Sequence, residues 1–143
     1  MDNHYTLYTD GGARGNPGPA ATGAVVLDGQ GKEQGHFSTY LGIATNNQAE
    51  YQALILGLGR LQKLINDEHK LGDISVTVLM DSELIVCQLK GEYRVKNTEL
   101  KPLFAKVEEL SKKFGRVTFK HIPREQNTRA DALVNKTLDR EAK

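Results

Sequence analysis

The sequence predicts an α/β domain built on a five-stranded mixed sheet flanked by helices, and three observations lead there. Two short alternating runs, Tyr5 to Asp10 and Ile74 to Met80, carry the period-two pattern of half-buried strands, and aspartates, Asp10 and Asp81, close them. Between them, Asp28-Gly29 separates two more strand-like runs and is a strong hairpin signal. Leu54, Leu58, Leu61 and Ile65 then recur at helical spacing, so a helix follows the hairpin and packs on the sheet through that stripe.

The first strand, Tyr5 to Asp10, is broken by the glycine- and proline-rich stretch Gly11 to Pro19, which reads as a loop directly behind Asp10. Ala24 to Leu27 and Gln34 to Leu41 flank the Asp-Gly turn, so the first three strands form an antiparallel meander. Thr45-Asn46-Asn47-Gln48 opens the first helix, with either Thr45 and Gln48 or Asn47 and Glu50 as a capping box. Glu50 lies near the amino end of that helix. Ile74, Val76, Val78 and Met80 share one face of the fourth strand, which ends at Asp81.

A short helix from Ser82 to about Lys90, a turn at Gly91 and a longer helix marked by Leu100, Leu103, Phe104, Val107 and Leu110 follow. Val117 to Ile122 is a fifth strand, ended by Pro123. Asn127 is expected to cap a last helix with Ala130, Leu133, Val134 and Leu138 on its apolar face, and Asp131 falls in its first turns. Helices separate strands four and five, so these run parallel, and the crossover after the third strand lets the first run parallel too. If strands one and four are neighbours, Asp10 and Asp81 meet.

At 143 residues the chain is long enough for one core without covalent staples, and residues 1–143 read as a single domain. Its single cysteine, Cys87, excludes an internal disulfide and is expected as a small buried apolar residue beside Leu84, Ile85 and Leu89. A reducing cytosol fits this. No apolar run approaches the ~20 residues that span a bilayer, and no basic segment with an apolar core opens the chain. A soluble, cytoplasmic monomer with no membrane partner is expected.

The net charge is only +1, but it is unevenly spread: 11 Lys/Arg and 5 Asp/Glu lie between Val86 and Arg129, against 8 and 13 elsewhere. An acidic site beside a basic flank suits a polyanionic substrate, although ordinary solvated helix faces give the same arithmetic.

Asp10, Glu50, Asp81 and Asp131 therefore come from strand ends and helix starts that can converge. Hard divalent cations prefer carboxylate oxygens, and two of them ~3.5–4 Å apart stabilise both the attacking water and the leaving oxygen of a phosphodiester. Without cations, such carboxylates repel one another. Aspartates at these places also serve as turn and cap residues, and spacing alone leaves that alternative open. His4, His36, His69 and His121 are scattered, and neither a Gly-Lys-Ser phosphate loop nor a Gly-x-Ser-x-Gly elbow is present.

Tyr8-Thr9-Asp10-Gly11-Gly12 with Gly15-Asn16-Pro17-Gly18-Pro19, then Thr45 to Glu50, Asp81-Ser82, and Asn127 to Leu133 resemble the signature blocks of type 1 ribonuclease H, in that family's order across residues 5 to 135. The resemblance implies a ribonuclease H-like sheet of order 3-2-1-4-5 with strand 2 antiparallel. It implies an endoribonuclease that hydrolyses the RNA strand of RNA/DNA hybrids by a two-metal-ion mechanism, leaving 5′-phosphate and 3′-hydroxyl ends. Mg²⁺ is the implied cofactor, with Mn²⁺ as a substitute. Asp10 would touch both ions, Glu50 and Asp81 one, and Asp131 the other.

It further places Asn16, Asn46 and Asn47 at RNA 2′-hydroxyls, where amides offer both donor and acceptor, or in turn and cap duty at the same time. Thr45 and Asn97 match positions that hold a phosphate of the DNA strand. The chain departs from the family in the short loop Pro123 to Asn127, which lacks a flexible histidine and leaves Arg124 or Glu125 as candidates for assisting product release. Lys90 to Leu100 is too short for a tryptophan-bearing basic handle, and the chain has no tryptophan. Tyr93 or Phe104 would then stack on the DNA, beside Lys90, Arg94, Lys96 and Lys101. No hybrid-binding module is expected before Tyr5. A related nuclease acting on duplex RNA and a non-catalytic hybrid-binding module are the alternatives; loss of a carboxylate would mark the latter, and all four are present.

Overall fold

A computed structural model describes residues 3–142. The strands are β1 (His4–Ala13), β2 (Gly18–Leu27), β3 (Glu33–Ala44), β4 (Ser75–Met80) and β5 (Arg116–His121), and they form one sheet in the order β3-β2-β1-β4-β5. β2 is antiparallel to both β1 and β3, whereas β4 is parallel to β1 and β5. The helices are α1 (Asn46–Ile65), α2 (Glu68–Leu71), α3 (Glu83–Leu89), α4 (Lys101–Ser111) and α5 (Thr128–Glu141).

The first hairpin is longer than the sequence pattern suggests. β1 continues through Gly11, Gly12 and Ala13, β2 begins at Gly18, and the connection shrinks to residues 14–17. Apolar alternation stops at Asp10 because glycines follow, and at Gly11 no side chain fits, a Cβ there lying 2.2 Å from the Ala49 carbonyl, while the backbone ladder needs no side chains to continue. β2 is buried along nearly its whole length, with Ala20, Ala21 and Ala24 fully enclosed. β3 likewise runs past Leu41 to Ala44, and β5 ends one residue before Ile122, whose N–H still donates to the Met80 carbonyl at 2.9 Å. The single turn α2 carries too few residues for a periodic signal.

The main core lies between the sheet and the layer of α1 and α4. Leu54, Leu58 and Leu61 of α1 meet Leu7, Val26, Val76, Val78 and Met80, and all are essentially inaccessible. Each such side chain contributes about 1.5–3 kcal/mol by leaving water. α5 covers the opposite face through Val134 and Leu138, which pack with Ala21. Cys87 departs from expectation: it is partly exposed, because α3 buries Ile85 and Val86 and turns the cysteine aside.

The α1 cap is the Thr45–Gln48 box: the Gln48 N–H donates to Thr45 Oγ1 (3.1 Å) and the Thr45 N–H to Gln48 Oε1 (2.8 Å). The competing pair fails because the Glu50 carboxylate is engaged elsewhere, on the N–H of Gly11. Among the described residues no helix is long and apolar enough to cross a membrane.

Candidate active site

β1 and β4 stay in register only as far as Tyr8 opposite Leu79, while β1 remains paired with β2 to Ala13 opposite Ala20. Beyond Tyr8 the β4-side backbone of β1 therefore has no strand beside it, and side chains take its hydrogen bonds. The Gly11 N–H donates to Glu50 Oε1 at 2.8 Å, and the Thr9 carbonyl accepts from Asn127 Nδ2 at 2.8 Å. The overhanging stretch thus gathers α1 and the start of α5 around Asp10.

Two bare backbones permit this approach. A Cβ on Gly11 would lie 2.2 Å from the carbonyl carbon and oxygen of Ala49, so only glycine lets α1 descend far enough for Glu50 to reach β1. Gly23 sits opposite Asp10 across the hairpin, and a Cβ there would lie 2.3 Å from the Ala130 carbonyl oxygen. Its absence brings the first turn of α5, and with it Asp131, over the strand. Asp81 follows Met80 at the end of β4, where Ser82 caps α3 by accepting from the Ile85 N–H.

Asp10, Glu50 and Asp81 each offer an oxygen within 4.8 Å of the others. Asp131 stands outside that trio but within hydrogen-bonding reach of the Asp10 carboxyl. Asp10 and Glu50 are each only 7% exposed. Burial first, then the charges of Asp81 and Asp131, push the Asp10 carboxyl up to about 8, against the Gly11 hydrogen bond. Burial, then Asp10 and Asp81, hold Glu50 well above the usual carboxylate range, with Gly11 and Arg124 pulling the other way. A crowded set of hard oxygen donors, two of the three buried, with no histidine or thiol joining the cluster among the described residues, is what a divalent cation of the Mg²⁺ type fits.

The expected substrate residues are spread along one rim. Asn46 Oδ1 accepts from the Ala13 N–H and Asn16 Oδ1 from the Asn46 N–H, each at 2.9 Å, which ties the 14–17 loop to the first residue of α1. Their oxygens serve the turn, and among the described residues their Nδ2 groups make no hydrogen bond. Asn47 is half-buried and makes no side-chain hydrogen bond there either. Thr45 and Asn97 are joined through Gln48, the cap partner of Thr45, and through Glu99, which the sequence did not single out: Gln48 Nε2 donates to Glu99 Oε2 at 3.2 Å, and the Glu99 N–H donates to Asn97 Oδ1 at 2.8 Å.

Asn127 corrects an expectation. It precedes α5, but its side chain makes no cap bond, since the amide is spent on Thr9; cap and tether are indistinguishable in sequence. Among the described residues its Oδ1 and the Thr9 Oγ1 are buried without partners, each such group costing about 1–3 kcal/mol. The residue is held for its position despite that penalty.

The pattern of the family described as reverse transcriptase-like matches residues 8–137. LC11-RNase H1, isolated from compost by a metagenomic approach, superposes with a TM-score of 0.90 at 49% identity, covering 99% of both chains. The same protein in complex with an RNA/DNA hybrid gives 0.90 at 48%, covering 97% of this chain and 99% of that one. The chain belongs to the ribonuclease H1 family. The ribonuclease HI of Halobacterium salinarum is 39% identical over 92% of this chain and 63% of its own length. The bifunctional protein Rv2228c of Mycobacterium tuberculosis is 42% identical over 93% of this chain, which spans only 35% of that relative.

In this member of the family, two of the expected departures take physical form. The loop before α5 is a 3₁₀ turn over Arg124–Gln126; Arg124 is exposed yet close enough for its charge to act on Glu50, whereas no interaction among the described residues links Glu125 to the four carboxyls. In place of a tryptophan handle, Tyr93 is 52% exposed beside a groove of about 530 Å³ lined by Gln88, Arg94, Lys101 and Phe104. Phe104 lies edge-on to Tyr51 at 6.5 Å and is partly buried, so Tyr93 is the more exposed of the two rings at that groove. His4 and His36 bond Ser75 and Glu33 away from the carboxyls, and the side chain of His69 lies outside the described residues.

Proposed function

We propose that this ribonuclease H1 is an endonuclease that hydrolyses the RNA strand of RNA/DNA hybrids, leaving 5′-phosphate and 3′-hydroxyl ends, with residues 1–143 acting as one domain. The observation that carries the reading is the convergence of Asp10, Glu50 and Asp81 within 4.8 Å, with Asp131 close enough to act on the Asp10 carboxyl. The hybrid-bound state of LC11-RNase H1 supports the hybrid as the substrate.

Two divalent cations, Mg²⁺ or in substitution Mn²⁺, supply Lewis-acid stabilisation of the attacking and leaving oxygens when bound. Asp10, Glu50 and Asp81 would hold one, and Asp131, beside Asp10, would hold the other. Glu50 is kept in place by the Gly11 N–H, so its carboxylate need not reorganise on loading. Arg124 brings a positive charge to the Glu50 side of the centre, where it meets the scissile phosphate and helps the cleaved 5′-phosphate depart. The free Nδ2 donors of Asn16 and Asn46, with Asn47, read RNA 2′-hydroxyls. Thr45 and Asn97 hold a phosphate of the DNA strand, and Tyr93 with Lys90, Arg94, Lys96 and Lys101 receives that strand further along. The protein acts as a cytoplasmic monomer.

The test is cleavage of RNA/DNA, RNA/RNA and DNA/DNA duplexes of one sequence with Mg²⁺, with Mn²⁺ and with chelator. The expected result is metal-dependent cutting of the hybrid's RNA strand alone. Tight hybrid binding without cleavage would establish a non-catalytic module instead, and equal cutting of duplex RNA a broader nuclease.

A further inference from the structure

We infer that Asn127 is a positioning residue whose side-chain amide stands in for the missing continuation of β4 and thereby sets the separation of Asp10 and Asp131. The inference rests on the metal-centre reading above and deepens it. β4 ends at Met80, one residue short of where β1 still has a carbonyl to satisfy, and Asn127 Nδ2 fills that place at 2.8 Å on Thr9. Thr9 is the residue before Asp10. The Asn127 carbonyl oxygen in turn accepts the Asp131 N–H at 3.1 Å, so one residue connects the backbone beside Asp10 to the backbone of Asp131.

A second contact fixes the same helix end from the other strand, where the Ala130 carbonyl rests on bare Gly23, the register partner of Asp10. α5 is thus pinned at two points on either side of the residue opposite Asp131. Asn127 is wholly buried, so neither solvent nor substrate competes for its amide. Asp81 and Glu50 are placed by other elements, which makes the Asp10–Asp131 pair the part of the centre that depends on Asn127.

Mn²⁺ binding to the protein without substrate, followed by calorimetry and electron paramagnetic resonance, tests this through a double-mutant cycle. Asn127→Ala, and Asn127→Asp, which keeps the shape and packing but removes the donor, are each expected to weaken binding at one of two sites at least tenfold. In an Asp131→Asn background the same changes are expected to add less than twofold. Additive effects, or undisturbed binding in the single variants, would overturn the inference. Val107→Ala in α4 is the control for general destabilisation and is expected to leave Mn²⁺ binding unchanged; equal weakening there would also count against it.

Carbon-13 carboxyl shifts of Asp10 and Asp131 in the metal-free protein give a readout independent of loading and cleavage. They are expected to move in both Asn127 variants and not in Val107→Ala, and unmoved shifts would reject the positioning role. If the wild type bound no Mn²⁺, the metal-centre reading would fail while this readout still decided the role of Asn127.

Discussion

Asp10 concentrates the opposing demands on this site. Its carboxyl titrates near 8 in the fold against 3.8 ordinarily, so it favours the folded state fully only below the lower value, and that contribution is lost as pH rises through the higher one. Asp10→Asn removes the ionisation and keeps the volume. In chelator, the variant is expected to melt close to wild type at pH 4 and to exceed it by more than about 1 kcal/mol at pH 9. Hydrolysis is expected to vanish at every pH while hybrid binding persists, measured by single-turnover cleavage and by titration of a labelled hybrid. Gly11 makes a complementary case. Gly11→Ala forces the Ala49 carbonyl away and Glu50 with it, and about 1–3 kcal/mol of stability should go, together with a fall in kcat far larger than the loss of folded protein explains. Neither role is visible in composition: the carboxylate's placement could be read from where the alternating run ended, but the necessity of a bare backbone at Gly11 and Gly23 depends on which helix lies over which strand.

At the scale of elements, α1 does two jobs through one residue. Gln48 completes the cap and also reaches Glu99, whose N–H holds Asn97. Gln48→Ala is expected to cost about 1 kcal/mol in thermal unfolding and to raise KM for the hybrid severalfold with kcat nearly unchanged, because the loss falls on the rim rather than on the carboxylates. Equal losses in kcat and kcat/KM would show instead that the cap governs the position of Glu50. The helices with apolar stripes were legible because a 3.6-residue period survives any neighbour. The first halves of β2 and the end of β1 were not, since Gly, Ala and Thr under two covering layers show no alternation. Asn127 departs from its expected cap for a different reason: a buried tether and an exposed cap use the same residue type at the same place before a helix.

For the whole molecule, the acidic centre and the basic stretch from Val86 to Arg129 belong to one surface problem, holding a polyanion while placing cations against it. Binding of the hybrid is expected to weaken steeply with salt, and Lys96→Ala is expected to lower the log–log slope by about 1 without changing kcat. A slope unchanged in that variant would remove Lys96 from the contact surface. The crossovers give only the directions of the strands; their order, and with it the Asp10–Asp81 meeting, is what the resemblance of the signature blocks implies and the sheet bears out, whereas the approach of Asp131 to Asp10 depends on how α5 docks on β1 and β2.

The crowding of acids at the overhang of β1 has a consequence beyond catalysis. On the metal-centre reading proposed above, these crowded carboxyls would make the chain sturdier whenever a counter-ion is at hand, by about 2.7 kcal/mol when that ion stands a hundredfold above its dissociation constant. Its melting temperature would then gauge the cation supply around it, and a molecule starved of the ion would be at once idle and the easiest to unfold.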